Sequence, residues 1–336
     1  MSKARADFIT RSWYQCAKWL YLLFPLALLY GLITSIRKLL YTLHVSKSYR
    51  AKVPVIVVGN ITVGGTGKSP LVAYLIESLR QQGFNPGVVS RGYGASINQD
   101  EVREVLASSA AAEVGDEPLM LKLRVGCPIF VSPSRRLAVQ AVEAKGCDIV
   151  ISDYGLQHYG LERDIEICVF DGERKWGNGC LLPVGPLRES LSRVKSIDFI
   201  VVNGESWQDQ ALFRSAIRMD LQGGELKSLG TGETKTISHF QAQRVNAVAA
   251  IGNPERFFQA LEAQGLSIQR HGFNDHHAYS ESDLDFENDL PIIMTEKDAV
   301  KCRSFKLQNA WYLPVSAKLS NDLASQIISA LKHKGF

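Results

Sequence analysis

Gly67, Lys68 and Ser69 are the residues whose types and order most directly imply chemistry. They close a glycine-rich stretch, Thr62-Val63-Gly64-Gly65-Thr66-Gly67-Lys68-Ser69, which follows a β-branched run (Val53, Val55, Ile56, Val57, Val58) stopping at Gly59. An apolar, helix-compatible segment from Leu71 to Leu79 comes next. A strand, a glycine loop, Gly-Lys-Ser and a helix in that order describe a phosphate-binding loop. Glycines let backbone N–H groups turn inward around phosphate oxygens, and the helix N-terminus adds partial positive charge. Lys68 then bridges the β- and γ-phosphates of a nucleoside triphosphate, and the Ser69 hydroxyl holds Mg²⁺. The general pattern wants glycine five residues before Gly67, where this chain has Thr62; Gly64 and Gly65 supply the flexibility instead. The bland alternative is a β–α turn carrying a chance Lys-Ser, and the flanking strand and helix weigh against it.

A hydroxyl-held Mg²⁺ needs a carboxylate opposite. Asp153 ends the near-continuous apolar run Cys147 to Asp153, 84 residues after Ser69. That reads as a central parallel strand with an acid at its C-terminal end, and the spacing leaves room for the crossovers of a doubly wound sheet. A turn or helix-cap aspartate is the competing reading. Other strands are expected at 85–90, 128–131, 165–170, 197–203, 245–251, 291–295 and 311–315. Helices are expected at 135–145, 255–263 and 323–332, with Gly115-Asp116-Glu117-Pro118 preceding an apolar helical segment. Met219 to Leu229 reads as a hairpin around Gly223-Gly224 joining two lobes. Short strands alternating with helices give an α/β class with a largely parallel sheet.

The 336 residues suffice for two domains, and 46% hydrophobic with 21% charged residues describes a globular chain. A net charge of +4 is mild and does not argue for a nucleic-acid partner, which usually needs a dense basic stripe, so none is expected. The six cysteines are scattered without a C-x-x-C pair, which fits a reducing compartment and shows no metal cage. Trp19 to Ile36 carries no charge over 18 residues, with Trp13, Tyr14, Tyr21, Tyr30 and Tyr41 in or beside it. Lys3, Arg5, Arg11 and Lys18 precede it, and Arg37, Lys38, Lys47, Arg50 and Lys52 follow. Such a segment suits a membrane helix, spanning or lying in one leaflet, held at an anionic cytoplasmic surface. A signal peptide would need small residues at a cleavage site, and Ile36-Arg37-Lys38 offers none; a buried core helix is the other competitor.

Seven motifs occur in order: Gly64 to Ser69, Ser90-Arg91-Gly92-Tyr93-Gly94, Gly115-Asp116-Glu117-Pro118, Asp153-Tyr154-Gly155-Leu156-Gln157-His158, Gly185-Pro186-Leu187-Arg188-Glu189, Asp275-His276-His277 and Thr295-Glu296-Lys297-Asp298. Together they resemble the tetraacyldisaccharide 4′-kinase family of the lipid A pathway. The resemblance implies a P-loop NTPase-like lobe, a smaller C-terminal α/β lobe joined through a two-stranded linker, and an N-terminal apolar membrane helix. The divisions expected are 1–44, 45–218 and 219–336. It implies transfer of the ATP γ-phosphoryl group, with Mg²⁺, to the 4′-hydroxyl of an acylated glucosamine disaccharide 1-phosphate. The setting it implies is the cytoplasmic face of the inner membrane, and a monomer is expected there.

By the same resemblance Asp116 is the general base and His276 supports it from the second lobe, with Lys68 beside them in catalysis. Taken alone, Gly115-Asp116-Glu117-Pro118 is more often a helix start. The nucleotide cradle is Thr62, Val63, Gly64, Gly65, Thr66, Gly67, Lys68 and Ser69, and the metal set is Ser69, Asp153 and Glu117. Arg91, Arg188 and Lys297 are candidates for neutralising substrate phosphates. One departure is plain: the family's usual Asp-Asp-Gly is here Asp153-Tyr154-Gly155. A neutral phenol cannot replace a negative charge next to a cation, so Glu117 or water would take that place.

Two rivals remain. A GTPase or ATPase switch of the metal-chaperone or signal-recognition type shares the loop, but the chain lacks a clear Asn-Lys-x-Asp guanine reader, which Thr295 to Asp298 mimics only superficially. A membrane-anchored scaffold with a vestigial nucleotide site is opposed by intact Lys68, Ser69 and Asp153.

Overall fold

The computed structural model describes residues 3–336 apart from 206, 208 and 209, with side chains described from residue 8 onward. The basic flank read at Lys3 and Arg5 therefore lies outside the described side chains. The chain opens with α1 (Lys3–Tyr14), a 3₁₀ turn and α2 (Phe24–Thr42). It continues through β1 (Val55–Gly59), α3 (Lys68–Gln81), β2 (Pro86–Ser90), β3 (Arg103–Glu104), α4 (Ala111–Val114), α5 (Asp116–Val125), β4 (Ile129–Val131), α6 (Arg135–Ala144) and β5 (Ile149–Asp153). Then come β6 (Ile165–Asp171), β7 (Phe199–Asn203), β8 (Ile217–Gly223), β9 (Leu226–Ser228), β10 (Thr234–Lys235), β11 (Arg244–Ala249), α7 (Pro254–Ala263) and β12 (Ser267–Gly272). The chain finishes with β13 (Ile292–Thr295), α8 (Glu296–Ala299), β14 (Ala310–Leu313), β15 (Val315–Leu319) and α9 (Leu323–His333).

Among the described residues, nine strands form one sheet in the order β15-β8-β7-β6-β1-β5-β2-β4-β3, and six form a second in the order β10-β9-β14-β13-β11-β12. Within the first sheet only β3 on β4 and β15 on β8 pair antiparallel; β1 lies parallel between β5 and β6. β1 is buried on both faces, as an all-apolar run must be. Ile56 and Val58 pack with Leu71, Leu75 and Ile327 under α3 and α9, while Val55 and Val57 pack with Val139 and Val142 under α6. Strand alternation thus places one helix layer on each face, and the loops at the carboxyl ends of the strands carry the site. The second sheet is covered by α7 through Phe257, Phe258 and Leu261 against Val245 and Ala247.

Two expectations are corrected. Met219 to Leu229 is not a hairpin: β8 belongs to the first sheet and β9 to the second. The link has two strands drawn from distant parts of the chain, because β14 passes through Pro314 into β15, which pairs antiparallel with β8 from Val315↔Gly223 to Leu319↔Met219. Consequently a single cut at 218/219 does not divide the sheets, since β15 and α9 return to the first one, where α9 packs on α3 and β6.

The apolar N-terminal stretch runs helically from Lys18 to Thr42, 25 residues with mean hydropathy 1.8 and 11% of its apolar window buried. Pro25 sits at the start of α2, where a missing N–H costs nothing. Leu22, Leu28, Leu32, Ile33 and Leu43 are exposed, so this is not the core helix that burial would require. Trp13, Leu20 and Ala27 anchor it on Val184. Trp13 donates to the Pro183 carbonyl at 2.9 Å and Tyr30 to the Arg188 carbonyl at 3.1 Å.

Candidate active site between the two sheets

β1 ends at Gly59, and Asn60 folds the loop that follows by donating to the carbonyls of Thr62 (2.7 Å) and Gly64 (3.2 Å). Gly67 caps α3 at φ +86, a left-handed conformation that suits glycine. A Cβ there would come within 2.5 Å of Asn203 Nδ2, the atom that donates to the Thr66 carbonyl at 3.2 Å. The loop is therefore fixed from its own strand by Asn60 and from the end of β7 by Asn203. Thr62, Thr66 and Lys68 are buried, and Val63, Gly64, Gly67 and Ser69 are half-buried with Gly65 exposed between them. Lys68 donates to Asn60 Oδ1 at 3.2 Å, and its ammonium lies 3.9 Å from the centre of the Tyr154 ring. Burial pushes the Lys68 amine down to about 8, against the opposing pull of Glu117 and Asp153.

Asp153 ends β5 beside β1, in register with Val58. Its Oδ1 is buried without a hydrogen-bond partner, as is Thr66 Oγ1. Burial raises the Asp153 carboxyl to about 6, Glu117 adds to the rise, and Lys68 and Arg135 oppose it. An unpaired buried carboxylate oxygen costs about 1–3 kcal/mol, and a cation would relieve that cost. Among the described residues no cluster of three or more His, Cys, Asp or Glu could hold a metal alone. A single carboxylate with a buried, unpaired oxygen fits Mg²⁺, which keeps waters and is bound through one or two side chains plus substrate phosphates. Tyr154 follows at φ +58, a conformation costing a non-glycine residue roughly 1–2 kcal/mol. It is held by its N–H on the Val58 carbonyl (3.0 Å) and by buried Arg135, which donates to its carbonyl (2.8 Å).

The second cluster is built across the lobes. Asp116 begins α5, where Gly115 at φ +90 brings the chain against the Tyr93 carbonyl, and the side chain is buried. His276, from the loop after β12, places Nδ1 2.9 Å from Asp116 Oδ2 and 3.1 Å from Oδ1. Lys297 of α8 reaches Glu117 Oε1 (3.1 Å), Asp275 Oδ1 (3.2 Å), His276 Nε2 (3.3 Å) and Asp116 Oδ2 (3.9 Å). Burial alone would raise the Asp116 carboxyl, but the His276 hydrogen bond and the Lys297 charge outweigh it and hold it below its ordinary value. The same hydrogen bond raises His276. Lys297 is raised too: desolvation works against its charge, and Glu117, Asp116 and Asp275 overcome that penalty. Asp116 and His276 thus set each other's affinity for a proton, the arrangement that acid–base chemistry requires.

Structure thus brings together Lys68, Asp153 and Glu117 by mutual charge, and Asp116, His276, Lys297 and Glu117 by contact. Glu117 joins the two groups, with Oε1 already paired to Lys297. Arg188 is half-buried near Lys68 and Tyr154, its backbone N–H on the Ile61 carbonyl at 2.7 Å. Arg91 stands apart from both clusters: it is exposed and its charge is felt at Arg135 and His158. A cleft of about 620 Å³ opens beside Asp116 and His276, walled by Tyr93, Ala112, Tyr279 and Phe305.

Several residues that shape the site escaped the sequence reading. Asn60 and Asn203 each follow the apolar part of a strand, a position that could have flagged them. Arg256 of α7 donates to Asp171 Oδ2 and Asn203 Oδ1, both at 3.1 Å, so the second lobe grips the residue that holds the loop. Gln157 donates to the Asn60 carbonyl (3.1 Å) and to Glu189 (3.0 Å), tying two of the ordered motifs to the loop. Thr295 to Asp298 proves to be a joint rather than a base reader. Asp298 accepts from Thr295 (2.6 Å) and from the Ala250 N–H (2.9 Å), while Glu296 pairs with Arg124 (3.2 Å) across the lobes.

The sequence model of the family described as tetraacyldisaccharide-1-P 4′-kinase matches residues 19–332. A tetraacyldisaccharide 4′-kinase from Shewanella sp. (strain W3-18-1) is 48% identical over 326 residues, spanning 96% of this chain and 94% of that protein. The protein of the same name from Methylobacillus flagellatus is 44% identical, with 98% of each chain covered. Among solved structures, LpxK from Aquifex aeolicus in complex with ATP superposes with a TM-score of 0.77 at 26% identity, covering 94% of this chain and 99% of that one.

Proposed function

The chain belongs to the tetraacyldisaccharide-1-P 4′-kinase family, and on that premise we propose how its own residues divide the work. It is an ATP-dependent kinase of lipid A biosynthesis, acting on a lipid disaccharide phosphate; the switch-protein and scaffold alternatives fall away. The observation that carries the division is the contact of Asp116 with His276 at 2.9 Å, made between lobes beside an open cleft. In this reading Thr62 to Ser69 cradle the triphosphate with backbone N–H groups, and Lys68 supplies charge to the β- and γ-phosphates. Ser69 and Asp153 would hold Mg²⁺, with Glu117 shared between that cation and Lys297. The ion would supply charge neutralisation on the transferring phosphoryl group.

Asp116 accepts the proton of the acceptor hydroxyl late in transfer. The His276 hydrogen bond holds its carboxylate in place and, together with the Lys297 charge, keeps it ionised at neutral pH. A carboxylate held low is a weak base, and that suits phosphoryl transfer, in which positioning and charge do most of the work. Arg188, half-buried near Lys68, contributes charge toward the phosphates.

The finer setting is also a proposal: a monomer at the cytoplasmic face of the inner membrane. The exposed apolar face of α2 and the basic residues after it support the membrane part of this setting. The segment that α2 docks on also touches the phosphate loop, through Val63 N–H on the Pro186 carbonyl at 2.9 Å. A lipid acceptor lying along α2 would thus arrive beside the nucleotide. Incubation with γ-labelled ATP and the disaccharide 1-phosphate in vesicles tests this. Label on the lipid 4′-oxygen is expected, and label released only as inorganic phosphate refutes it.

A further inference from the structure

We propose that Tyr154 is a positioning residue for the nucleotide: the face of its ring seats the Lys68 ammonium and leaves one N–H of that ammonium to the β- and γ-phosphates. The inference rests on the assignment of Lys68 to those phosphates. Lys68 Nζ lies 3.9 Å from the ring centre and 3.2 Å from Asn60 Oδ1, and among the described residues it forms no ion pair. An ammonium has three donors. Asn60 takes one and the ring face takes a second, so a single donor remains and its direction is set by the other two.

The backbone is built to keep the ring in place. Tyr154 is held at φ +58 from both sides, by the Val58 carbonyl and by Arg135, whose guanidinium also donates to the Asp153 carbonyl at 3.2 Å. Gly155 follows where a Cβ would meet Ser152 Oγ and Val57 Cγ1 at 2.8 Å, so the segment is packed against the sheet and cannot slide. An aromatic face attracts the cation through its quadrupole while adding no negative charge. Tyr154 thereby also joins Arg135, at the start of α6, to the phosphate loop.

Equilibrium binding of ATP and of AMP, both with EDTA present, tests the seat in Tyr154→Phe, Tyr154→Leu and Lys68→Ala proteins. Tyr154→Phe keeps ATP affinity within about twofold, since the ring remains. Tyr154→Leu loses about tenfold for ATP, the scale of a desolvated cation–π contact, and nothing for AMP, which lacks the β- and γ-phosphates. If Tyr154→Leu does not fold, Tyr154→Met carries the same expectation, and melting curves establish which variant is used. Wild-type ATP affinity in the ringless variant overturns the proposal. Equal losses for ATP and AMP overturn it too, as does a loss in Tyr154→Phe matching that in Tyr154→Leu. Lys68→Ala that binds ATP normally overturns the phosphate assignment and the seat together, whereas a weakened Lys68→Ala beside an unchanged Tyr154→Leu overturns the seat alone.

Discussion

Replacing Lys297 by Met takes one cation out of a cluster of three carboxylates and a histidine. The ammonium lies 3.1 Å from Glu117, 3.2 Å from Asp275 and 3.9 Å from Asp116. At an effective dielectric of about 20, each such contact represents roughly 4–5 kcal/mol of raw attraction. Asp275 is 45% exposed, so its share is largely screened. Desolvation of a lysine that is 13% exposed offsets much of the remainder. What survives is the cost of stranding Glu117 and Asp116 near each other, about 3–5 kcal/mol for breaking a buried pair from one side. That cost falls on the folded protein as lost stability; kcat/KM falls separately, by on the order of 100-fold, because Asp116 and Glu117 lose the cation that positions them. Asp116 also loses one of the three cationic neighbours, Lys297, His276 and Lys301, that hold its carboxyl low, so its pKa rises and the acid limb of kcat/KM moves to higher pH. The assay is phosphoryl transfer to lipid acceptor between pH 4 and 9, beside thermal melting. Melting should fall as well, by on the order of ten degrees, because a loss of about 3–5 kcal/mol moves Tm by roughly 2–4 °C per kcal/mol. A kcat/KM within threefold of wild type, or an unmoved acid limb, refutes the reasoning.

Asp153→Asn should raise the melting temperature of the nucleotide-free protein at pH 8 while abolishing Mg²⁺-dependent turnover. The Asp153 carboxyl is raised from 3.8 to about 6, so the native state binds the extra proton between those values and stability falls as pH rises through that window. Asparagine removes the burden, worth up to about 3 kcal/mol; an unchanged or lower melting point at pH 8 counts against it. Deleting residues 1–44 should move the protein from the membrane to the soluble fraction, since the exposed leucines of α2 go with it. Persistent membrane association would point to another surface.

The first sheet was legible because its central strands are apolar runs buried on both faces, and because Gly67-Lys68-Ser69 marks where β1 hands over to α3. The two-stranded link was not. Met219 to Leu229 carries the glycines of a hairpin, yet β8 pairs with β15, almost a hundred residues later in the chain; no local pattern encodes so distant a partner. The same limit hid Arg256 and Asn203, whose meaning lies in a contact between lobes. Asp116 and His276 were reached through ordered motifs rather than periodicity, because a helix-start aspartate and a loop histidine look ordinary until 160 residues of separation close to 2.9 Å. Tyr154 first read as a missing carboxylate. Its ring under the Lys68 ammonium gives the position a role that charge counting alone did not suggest.

The central claim is that Asp116, held by His276 and Lys297 across the lobes, takes the proton from the acceptor hydroxyl. Turnover of Asp116→Ala at saturating ATP and lipid acceptor, measured together with its ATP affinity, tests that claim most directly. Label transfer should fall by on the order of a thousandfold or more, in the range general-base removal reaches, with ATP affinity within about threefold of wild type. Near wild-type transfer would contradict the account, and so would a loss accompanied by an equal loss of ATP binding.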